Sequence, residues 1–275
     1  MRNFRQRRLT NLVKAPFCIG VIPMKNKKMI YMIVAFFSVI VLWSVATYGG
    51  FIDSLFLPTP TAVIKAGIDS AKSGTLFPNI WISVYRVLGG FIAAAVLAVP
   101  LGIIMGMNEH ICYFFEPIIS LIRYMPASAF VPLFILWLGI GEVEKMAVIF
   151  YGTFFYLTLM VVDVIKNIPK NLIEASRTLG ASSVQMFFLV IFKAAAPGIV
   201  DSLRTCFGMA WTYLCIAELV SATSGIGYMI TIGAKFLHSD QMILGIVVIG
   251  LLGVLSDSLF GLLYNKRFWY LKKGK

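Results

Sequence analysis

Six long apolar segments constrain this chain more than any other feature of its sequence. An α-helix rises about 1.5 Å per residue, so roughly 20 apolar residues cross the hydrocarbon core of a bilayer, which is about 30 Å thick. Each segment is about that long. We therefore predict six transmembrane helices, at Met29–Tyr48, Val87–Met107, Ile118–Leu138, Met146–Ile165, Ile199–Val220 and Met242–Tyr264.

The composition points to the same fold class. Of the 275 residues, 59% are apolar and 13% are charged, whereas a soluble domain has about 45–50% apolar and about 25% charged residues. A soluble enzyme is therefore excluded, and we expect an all-α polytopic membrane protein. The net charge of +12 fits basic segments that lie against anionic lipid. The bilayer is thus an expected partner, and nucleic acid is not.

The basic residues are distributed unequally between the two sides of the membrane. Most of the 24 Lys and Arg residues lie in segments 1–28, 166–197 and 266–275. Basic loops stay in the cytoplasm, so we predict that these segments and both termini are cytoplasmic, as an even number of spans also requires. Residues 29–265 then form the transmembrane domain. A second start at Met24 also fits this topology, which leaves open whether residues 1–23 are translated. The opposite side carries only Lys65, Lys72, Lys145 and Lys235.

The second span has a face made of small residues. Gly90, Ala94, Ala98, Gly102 and Gly106 recur at every fourth position, and in a helix such residues share one face. Small side chains let another helix approach closely, which is how helices associate in lipid. We predict that this face is buried against protein. A role as a pore wall is the alternative.

The third span contains two prolines, Pro126 and Pro132. Each removes a backbone donor and disturbs the preceding turn, which lipid tolerates only where protein or water satisfies the freed carbonyl groups. We predict a broken helix in the protein interior. The break either lines a pathway or is a structural kink, and Tyr124 and Pro126 are our pathway candidates there.

Charged residues within the spans need an explanation, because each costs roughly 2.5–3.5 kcal/mol at the bilayer centre. Arg123, next to the proline break, and Glu218, near the end of the fifth span, are further pathway candidates. Asp201 and Arg204 are three residues apart on one helical face, so we predict that they pair with each other. The remaining charges lie close enough to span ends to reach the interface: Arg86, Asp163 and Asp257.

The chain lacks the motifs of catalysis. The two histidines, His110 and His238, form no HExxH sequence and no Ser-His-Asp set, and there is no GxxxxGK[ST] loop to hold nucleotide phosphates. We expect no catalytic residues, no cofactor and no metal in this chain. Any energy for transport must come from a partner or from an ion gradient.

The loop at 166–197 contains the signals of a short helix. Pro169 fits the first turn of a helix, with Asn167 or Ile168 as the capping residue. Gly180 stands where a left-handed C-terminal cap would end that helix. The predicted helix has Leu172, Ile173, Ser176 and Leu179 on one side and Lys170, Glu174 and Arg177 on the other.

A second helix is predicted to begin directly after this turn. Ser182 and Gln185 have the S-x-x-Q spacing of a capping box. The two helices together make an elbow that projects from the membrane. Such an amphipathic elbow suits a groove in another protein, and an interfacial helix on lipid fits the pattern equally well.

The elbow resembles the EAA loop of ABC importer permeases. That loop reads Glu-Ala-Ala, three residues and Gly. Here Glu174-Ala175-Ser176-Arg177-Thr178-Leu179-Gly180 departs at Ser176, and Phe192-Lys193 stands where Leu-Pro is usual. From about Leu57 to Trp269 the chain resembles the permeases for taurine, aliphatic sulfonates, nitrate and bicarbonate. The matching residues are Leu57-Pro58-Thr59-Pro60, Arg86 with Gly90, Pro126, Pro132, Trp137-Leu138-Gly139-Ile140-Gly141, Glu218 and Gly225-Ile226-Gly227-Tyr228.

The resemblance implies a type I importer fold of about six helices in a bacterial cytoplasmic membrane. It also implies two permease subunits, two cytoplasmic ATPases that bind ATP, and an extracytoplasmic binding protein that delivers a small solute, such as a sulfonate, taurine, nitrate or bicarbonate. Glu174 would anchor the elbow on the ATPase, Gly180 would form its turn, and Leu172 and Leu179 would bury apolar area. The implied coupling residues are Leu172, Glu174, Ala175, Ser176, Arg177, Leu179 and Gly180.

One rival hypothesis stays open. An ion-coupled secondary transporter would use membrane-embedded charges as a relay and would need no ATPase. Its candidate residues are Asp201, Arg204, Glu218 and Asp257.

Overall fold

The computed structural model describes residues 25–267, and all regular structure in that range is helical. The prediction of an all-α fold is confirmed. Helix α1 belongs to one compact unit, and the chain from Asp53 onward forms a second. The predicted basic ends, 1–28 and 266–275, lie largely outside the described residues. The helices are α1 (Lys25–Tyr48), α2 (Pro60–Lys72), α3 (Leu76–Met107), α4 (Glu109–Tyr124), α5 (Ala127–Leu138), α6 (Glu142–Lys166), α7 (Lys170–Thr178), α8 (Ser183–Ser221), α9 (Ile226–Lys235) and α10 (Ser239–Arg267).

Five helices in the described range are long and apolar enough to cross a bilayer, and α4 with α5 gives a sixth span if that bent pair counts as one. The count agrees with the prediction, but several helices begin earlier than the predicted spans, and α3 and α8 do so by the largest margins. Helix α3 begins at Leu76 rather than Val87, and α8 begins at Ser183 rather than Ile199. The added turns contain polar and charged residues such as Arg86, which lower the local hydropathy and hide the helix from an apolar window.

The small residues of α3 lie against α6. Ala94 and Ala98 are fully buried, and a Cβ atom built on Gly102 would lie 2.7 Å from Val161 Cβ and 2.8 Å from the Thr158 carbonyl oxygen. Real Cβ atoms do not approach other atoms so closely, so only glycine fits there. The predicted burial of this face against protein is confirmed.

A side chain at Gly102 should therefore destabilise the protein. We expect Gly102→Leu to lower the unfolding free energy by about 1–3 kcal/mol, as overpacking of a core does, because a backbone oxygen of α6 cannot move away as a flexible side chain could. Thermal unfolding of the purified protein measures the effect. Gly250→Leu on α10 is the matched control, because a Cβ there meets nothing within 4 Å. Equal unfolding temperatures for the two variants would contradict this account of the α3–α6 contact.

The hydrophobic core lies between α3, α6 and α8. Val87 of α3, Ile149 and Leu157 of α6, and Cys206 of α8 are fully buried and belong to one cluster. Helix α10 is joined to α8 by a hydrogen bond from Trp211 Nε1 to Ser256 Oγ of 3.2 Å. Because α6 packs against both α3 and α8, it lies at the centre of the second unit. The two regions described below lie at its two ends.

Helix α2 begins within the Leu57-Pro58-Thr59-Pro60 motif. Thr59 caps its first turn, where the Ala62 amide donates to Thr59 Oγ1 at 3.3 Å, and Pro60 occupies the first helical position. Proline is favoured there because that position needs no backbone donor. A Cβ on Gly67 would lie 3.2 Å from Leu244 Cδ1, so α2 packs against the start of α10.

The third predicted span is broken at one of its two prolines. Helices α4 and α5 meet at an angle of 96°, and Met125 and Pro126 between them are extended, with ψ of 130° and 126°. This confirms the break next to Pro126, but Tyr124, Met125 and Pro126 are exposed on this chain, so the predicted interior position of the break is wrong for the single chain. Pro132 lies inside α5, which continues through it from Ala127 to Leu138, so the prediction of a second interruption is wrong. Pro132 lies in the second turn of α5. A proline removes the hydrogen bond to the carbonyl group four residues earlier in a helix, and so near the start of α5 few such bonds exist to be disturbed.

The predicted pair of Asp201 and Arg204 is wrong. Arg204 Nε and Nη2 instead donate to the two carboxylate oxygens of Asp257 on α10, each at 2.5 Å. Such a forked contact gives two charge-assisted hydrogen bonds at once. Asp201, on the same helix as Arg204, makes no such contact with it here. The pair joins α8 to α10.

Candidate coupling elbow and translocation pathway

The elbow begins where α6 ends. Helix α7 starts at Lys170, with Pro169 as its capping residue and no side-chain cap, so the prediction of Asn167 or Ile168 at the cap is wrong. Asn167 instead follows the last turn of α6, where its side-chain amide donates to the Asp163 carbonyl at 2.8 Å. The connection between α6 and α7 is thus only three residues long.

Gly180 ends α7 in the predicted left-handed conformation, with φ of +78°. The Gly180 amide donates to the Arg177 carbonyl at 2.9 Å, and the Ala181 amide donates to the Ser176 carbonyl at 3.1 Å. These two bonds are those of a Schellman motif. A Cβ at Gly180 would meet nothing within 4 Å, so the backbone conformation, and not lack of space, selects glycine here.

Only part of the predicted apolar side of α7 faces the protein. Ser176 is buried, with its hydroxyl donating to the Ile173 carbonyl at 2.7 Å, and Ile173 packs against the core between the spans. Leu172 and Leu179, which the pattern placed on the same side, are 44% and 86% exposed. Both apolar side chains are thus available for contact beyond this chain. The remaining elbow residues of the predicted set, Glu174, Ala175 and Arg177, are exposed as well.

The capping box that follows is present as predicted. The Gln185 amide donates to Ser182 Oγ at 3.3 Å, and the Ser182 amide donates to Gln185 Oε1 at 3.0 Å. The helix passes through a π-helical segment at Met186–Ile191 and continues without a break to Ser221. Elbow helix α7 is therefore joined through short connections to α6 on one side and to α8 on the other, so a displacement of α7 acts on both.

The broken span places Arg123 and Tyr124 at the end of α4. Arg123 Nη2 donates to Tyr124 Oη at 3.2 Å, and the guanidinium carbon lies 4.9 Å from the Tyr124 ring centre and 5.2 Å from that of Tyr156 on α6. Arg123 also lines a small cavity together with Tyr151, Tyr156 and Tyr213. The predicted pathway residues Arg123, Tyr124 and Pro126 thus lie together at the break.

Glu218, the fourth predicted pathway residue, lies elsewhere. Glu218 is on α8, and its carboxylate is fully buried near the start of α6, the end opposite the elbow. It accepts hydrogen bonds from Arg86 Nη1 at 2.7 Å and from Ser83 Oγ at 2.8 Å. Arg86 is 1% exposed and also donates from Nε to Glu142 at 2.6 Å. The prediction that Arg86 reaches the interface is therefore wrong: this side chain is enclosed between two carboxylates.

This buried cluster holds the start of α9. The Gly227 amide donates to Glu218 Oε2 at 2.7 Å, the Ile226 amide to Ser83 Oγ at 2.9 Å, and the Gly225 amide to Asn79 Oδ1 at 2.8 Å. A carboxylate at a helix N-terminus is stabilised by the helix dipole. Sequence reasoning found Glu218 but missed its partners, because they come from helices that are far apart in the chain.

Comparisons with known proteins agree with this architecture. Residues 98–268 match the model of the family described as "Binding-protein-dependent transport system inner membrane component". The chain is 34% identical over 228 residues to the putative aliphatic sulfonates transport permease protein SsuC of Bacillus subtilis, which covers 83% of each chain. It is 34% identical over 220 residues to the taurine transport system permease protein TauC of Escherichia coli, covering 78% of this chain and 80% of that protein.

A more distant relative and a solved structure complete the comparison. The nitrate import permease protein NrtB of Synechocystis is 28% identical over 241 residues, which cover 84% of this chain and 86% of that protein. A structure of the MetNI methionine ABC transporter in an inward-facing conformation superposes with a TM-score of 0.63. It has 20% sequence identity and covers 71% of this chain and 97% of that chain. That likeness establishes the fold.

Proposed function

Because this chain belongs to the family of binding-protein-dependent transport system inner membrane components, and is thus a multi-pass, non-catalytic permease subunit of an ABC importer, we propose that α7 couples it to a separate ATPase. The observation that carries the proposal is the exposed surface of the elbow. Leu172 on α7 and Leu179 directly after it are exposed, whereas Ile173 and Ser176 beside them are packed against the spans or buried. Large exposed apolar side chains next to a charged residue, Glu174, are typical of a docking site.

The proposed topology follows from the basic segments. Both termini and the loop at 166–197 lie in the cytoplasm, where ATP is available, and the cluster around Arg86 and Glu218 then lies at the extracytoplasmic end of the spans. An extracytoplasmic binding protein delivers the solute on that side. A second permease subunit completes the pathway. We keep 29–265 as the permease domain of this assembly.

The proposed solute is a small oxyanion or sulfonate. The relatives named for aliphatic sulfonates, taurine and nitrate act on solutes that share an anionic group with several oxygen atoms. Arg123, Tyr124 and Pro126, at the break between α4 and α5, are the proposed pathway residues, since broken helices line solute sites in transporters. Glu218 stays a predicted pathway residue, although each of its oxygens already accepts a hydrogen bond.

Reversal of the charge at Glu174 tests the proposed docking. We expect Glu174→Lys to reduce the amount of ATPase that co-purifies with the chain by about tenfold or more, because charge-assisted contacts contribute about 1.5–3 kcal/mol. The measurement is co-purification through a tag on this chain. Glu109→Lys, an exposed charge reversal at the start of α4, is the control and should leave the yield of ATPase unchanged. A normal yield with Glu174→Lys would contradict the assigned contact.

The rival secondary transporter makes the opposite prediction about energy. It requires that this chain alone, reconstituted in vesicles, accumulates solute in response to a proton or sodium gradient. Two of its candidate relay residues, Glu218 and Asp257, are already paired with arginines. We expect no uptake by the chain alone under such a gradient.

A further inference from the structure

We propose that Arg123, Tyr156 and Tyr213 form a binding site for the oxyanion group of the solute, at the point where α4 ends. This inference rests on the proposed function as an importer and goes further, because it names the atoms that contact the solute. The ligand group is a small anion with at least two oxygen acceptors, such as a sulfonate or nitrate.

Arg123 carries a positive charge that has no counterion among the described residues. Within residues 25–267 it makes no ion pair, whereas Arg86 and Arg204 are each bound to carboxylates. Its Nε is buried without a hydrogen-bond partner in the same range. An unpaired charge at membrane depth is costly and in membrane proteins marks sites of function. The unused donor and the unbalanced charge together call for an anion.

The other polar groups around the cavity are hydrogen-bond donors as well. Tyr156 and Tyr213 line it with Arg123, and within the described residues neither tyrosine hydroxyl makes a hydrogen bond. Tyr151, in contrast, already donates to the Ile122 carbonyl at 3.0 Å. The described side chains that line the cavity include no carboxylate. A guanidinium has donors only and a tyrosine hydroxyl can donate, so this set can hold anionic oxygens.

The start of α5 adds to the positive field at the same place. Ala127, the first residue of that 12-residue helix, also lines the cavity, and Pro126 before it provides no side-chain cap. The N-terminal end of a helix has a partial positive charge and free amide groups. The two halves of the broken span therefore bring a guanidinium and a helix N-terminus to one cavity.

The cavity is about halfway through the membrane. Gly152, which also lines it, lies about 15 Å along α6 from its first residue and about 21 Å from its last, at about 1.5 Å per residue. In secondary transporters, solute sites formed by broken helices are near the midplane, and this cavity has a similar depth. A site at this depth is reached from either side only when the helices around it move.

The size of the cavity depends on the two helices that the elbow joins. The cavity offers about 20 Å³ to the centre of a water molecule, which is room for roughly one water and too little for a sulfonate. The Tyr213 ring of α8 lies directly against the α6 backbone at Gly152, where a Cβ atom would overlap it. Separation of α6 from α8 would open the site, so motion of α7 controls whether the anion fits.

Binding measurements on the chain test the proposal separately from coupling. The chain, purified with its ATPase but without the binding protein or ATP, is titrated with sodium ethanesulfonate and followed by its unfolding temperature, since a ligand of the folded state raises that temperature. Sodium gluconate at equal ionic strength is the reference. We expect a saturable increase with ethanesulfonate and an apparent Kd about tenfold or more weaker in Arg123→Gln, because a charge-assisted bond is lost.

The remaining variants separate binding from damage to the fold. Arg123→Lys keeps the charge and should restore part of the affinity. Tyr213→Phe should weaken binding by about threefold or more, while Tyr113→Phe, an exposed tyrosine of α4, should have no effect. The proposal is overturned if ethanesulfonate and gluconate act alike, or if Arg123→Gln binds as well as the unchanged protein. Neither outcome would affect the docking of α7, which is measured by co-purification.

Discussion

Gly180→Val should strongly reduce solute uptake while the ATPase still hydrolyses ATP. Valine is β-branched, and a φ of +78° costs an ordinary residue about 1–2 kcal/mol and a β-branched residue more. The turn would relax to another conformation, and the two bonds that end α7 would be lost. We expect a decrease in uptake of at least about tenfold, measured with the radiolabelled solute of the binding protein in vesicles that contain the complete importer.

The matched control for this prediction is Gly180→Asn. Asparagine tolerates the left-handed conformation better than any branched residue, and no atom lies within 4 Å of the added Cβ. This variant should therefore keep most of its uptake. Normal uptake by Gly180→Val at a normal level of expression would refute the role assigned to the turn.

Loss of Arg86 should destabilise the protein more than the side chain added at Gly102 does. Arg86→Met leaves Glu218 buried without its cation, and breaking one partner of a buried ion pair costs about 3–5 kcal/mol. The start of α9 would be weakened as well, because Glu218 also accepts from the Gly227 amide. We expect a large decrease in the unfolding temperature and in the amount of protein found in the membrane.

A double variant separates the charge from the packing of this cluster. Glu218→Gln keeps a side-chain oxygen for the Gly227 amide and removes the negative charge. When combined with Arg86→Met, it should restore part of the lost stability, because the buried carboxylate beside α9 is then a neutral amide and only the half-exposed Glu142 is left without its arginine. If the double variant is less stable than Arg86→Met alone, the ion pair is not what the cluster depends on.

Local patterns in the sequence predicted the parts of the fold that depend on neighbouring residues. The small face of α3, the turn at Gly180 and the capping box at Ser182 each follow from spacings within one helix or one turn, and the structure confirms all three. The resemblance to importer permeases, which the family match supports, rests on such local motifs as well. Local signals of this kind do not depend on how the helices are arranged.

Side chains that meet across the fold could not be predicted in this way. Two acidic residues, Asp201 on the same helix and Asp257 on α10, could pair with Arg204. Its pairing with Asp257 depends on the packing of α8 against α10, which the sequence does not show. Glu142 stands at the start of α6, where an acidic residue is explained by the helix dipole alone. Its contact with Arg86 depends on the approach of α3 to α6. The oxyanion site likewise combines residues of three helices.

Cross-linking from the elbow tests the central claim, that a separate ATPase moves this permease through α7. In a chain with Cys18, Cys112, Cys206 and Cys215 replaced, one cysteine is introduced at Leu179, which is 86% exposed, or at the exposed Leu237, beyond the other end of the spans. The account predicts that Leu179→Cys forms a cross-link to the ATPase in native membranes and that Leu237→Cys does not. A cross-link from Leu237→Cys alone would contradict it, as would labelling of Leu179→Cys from outside the cell.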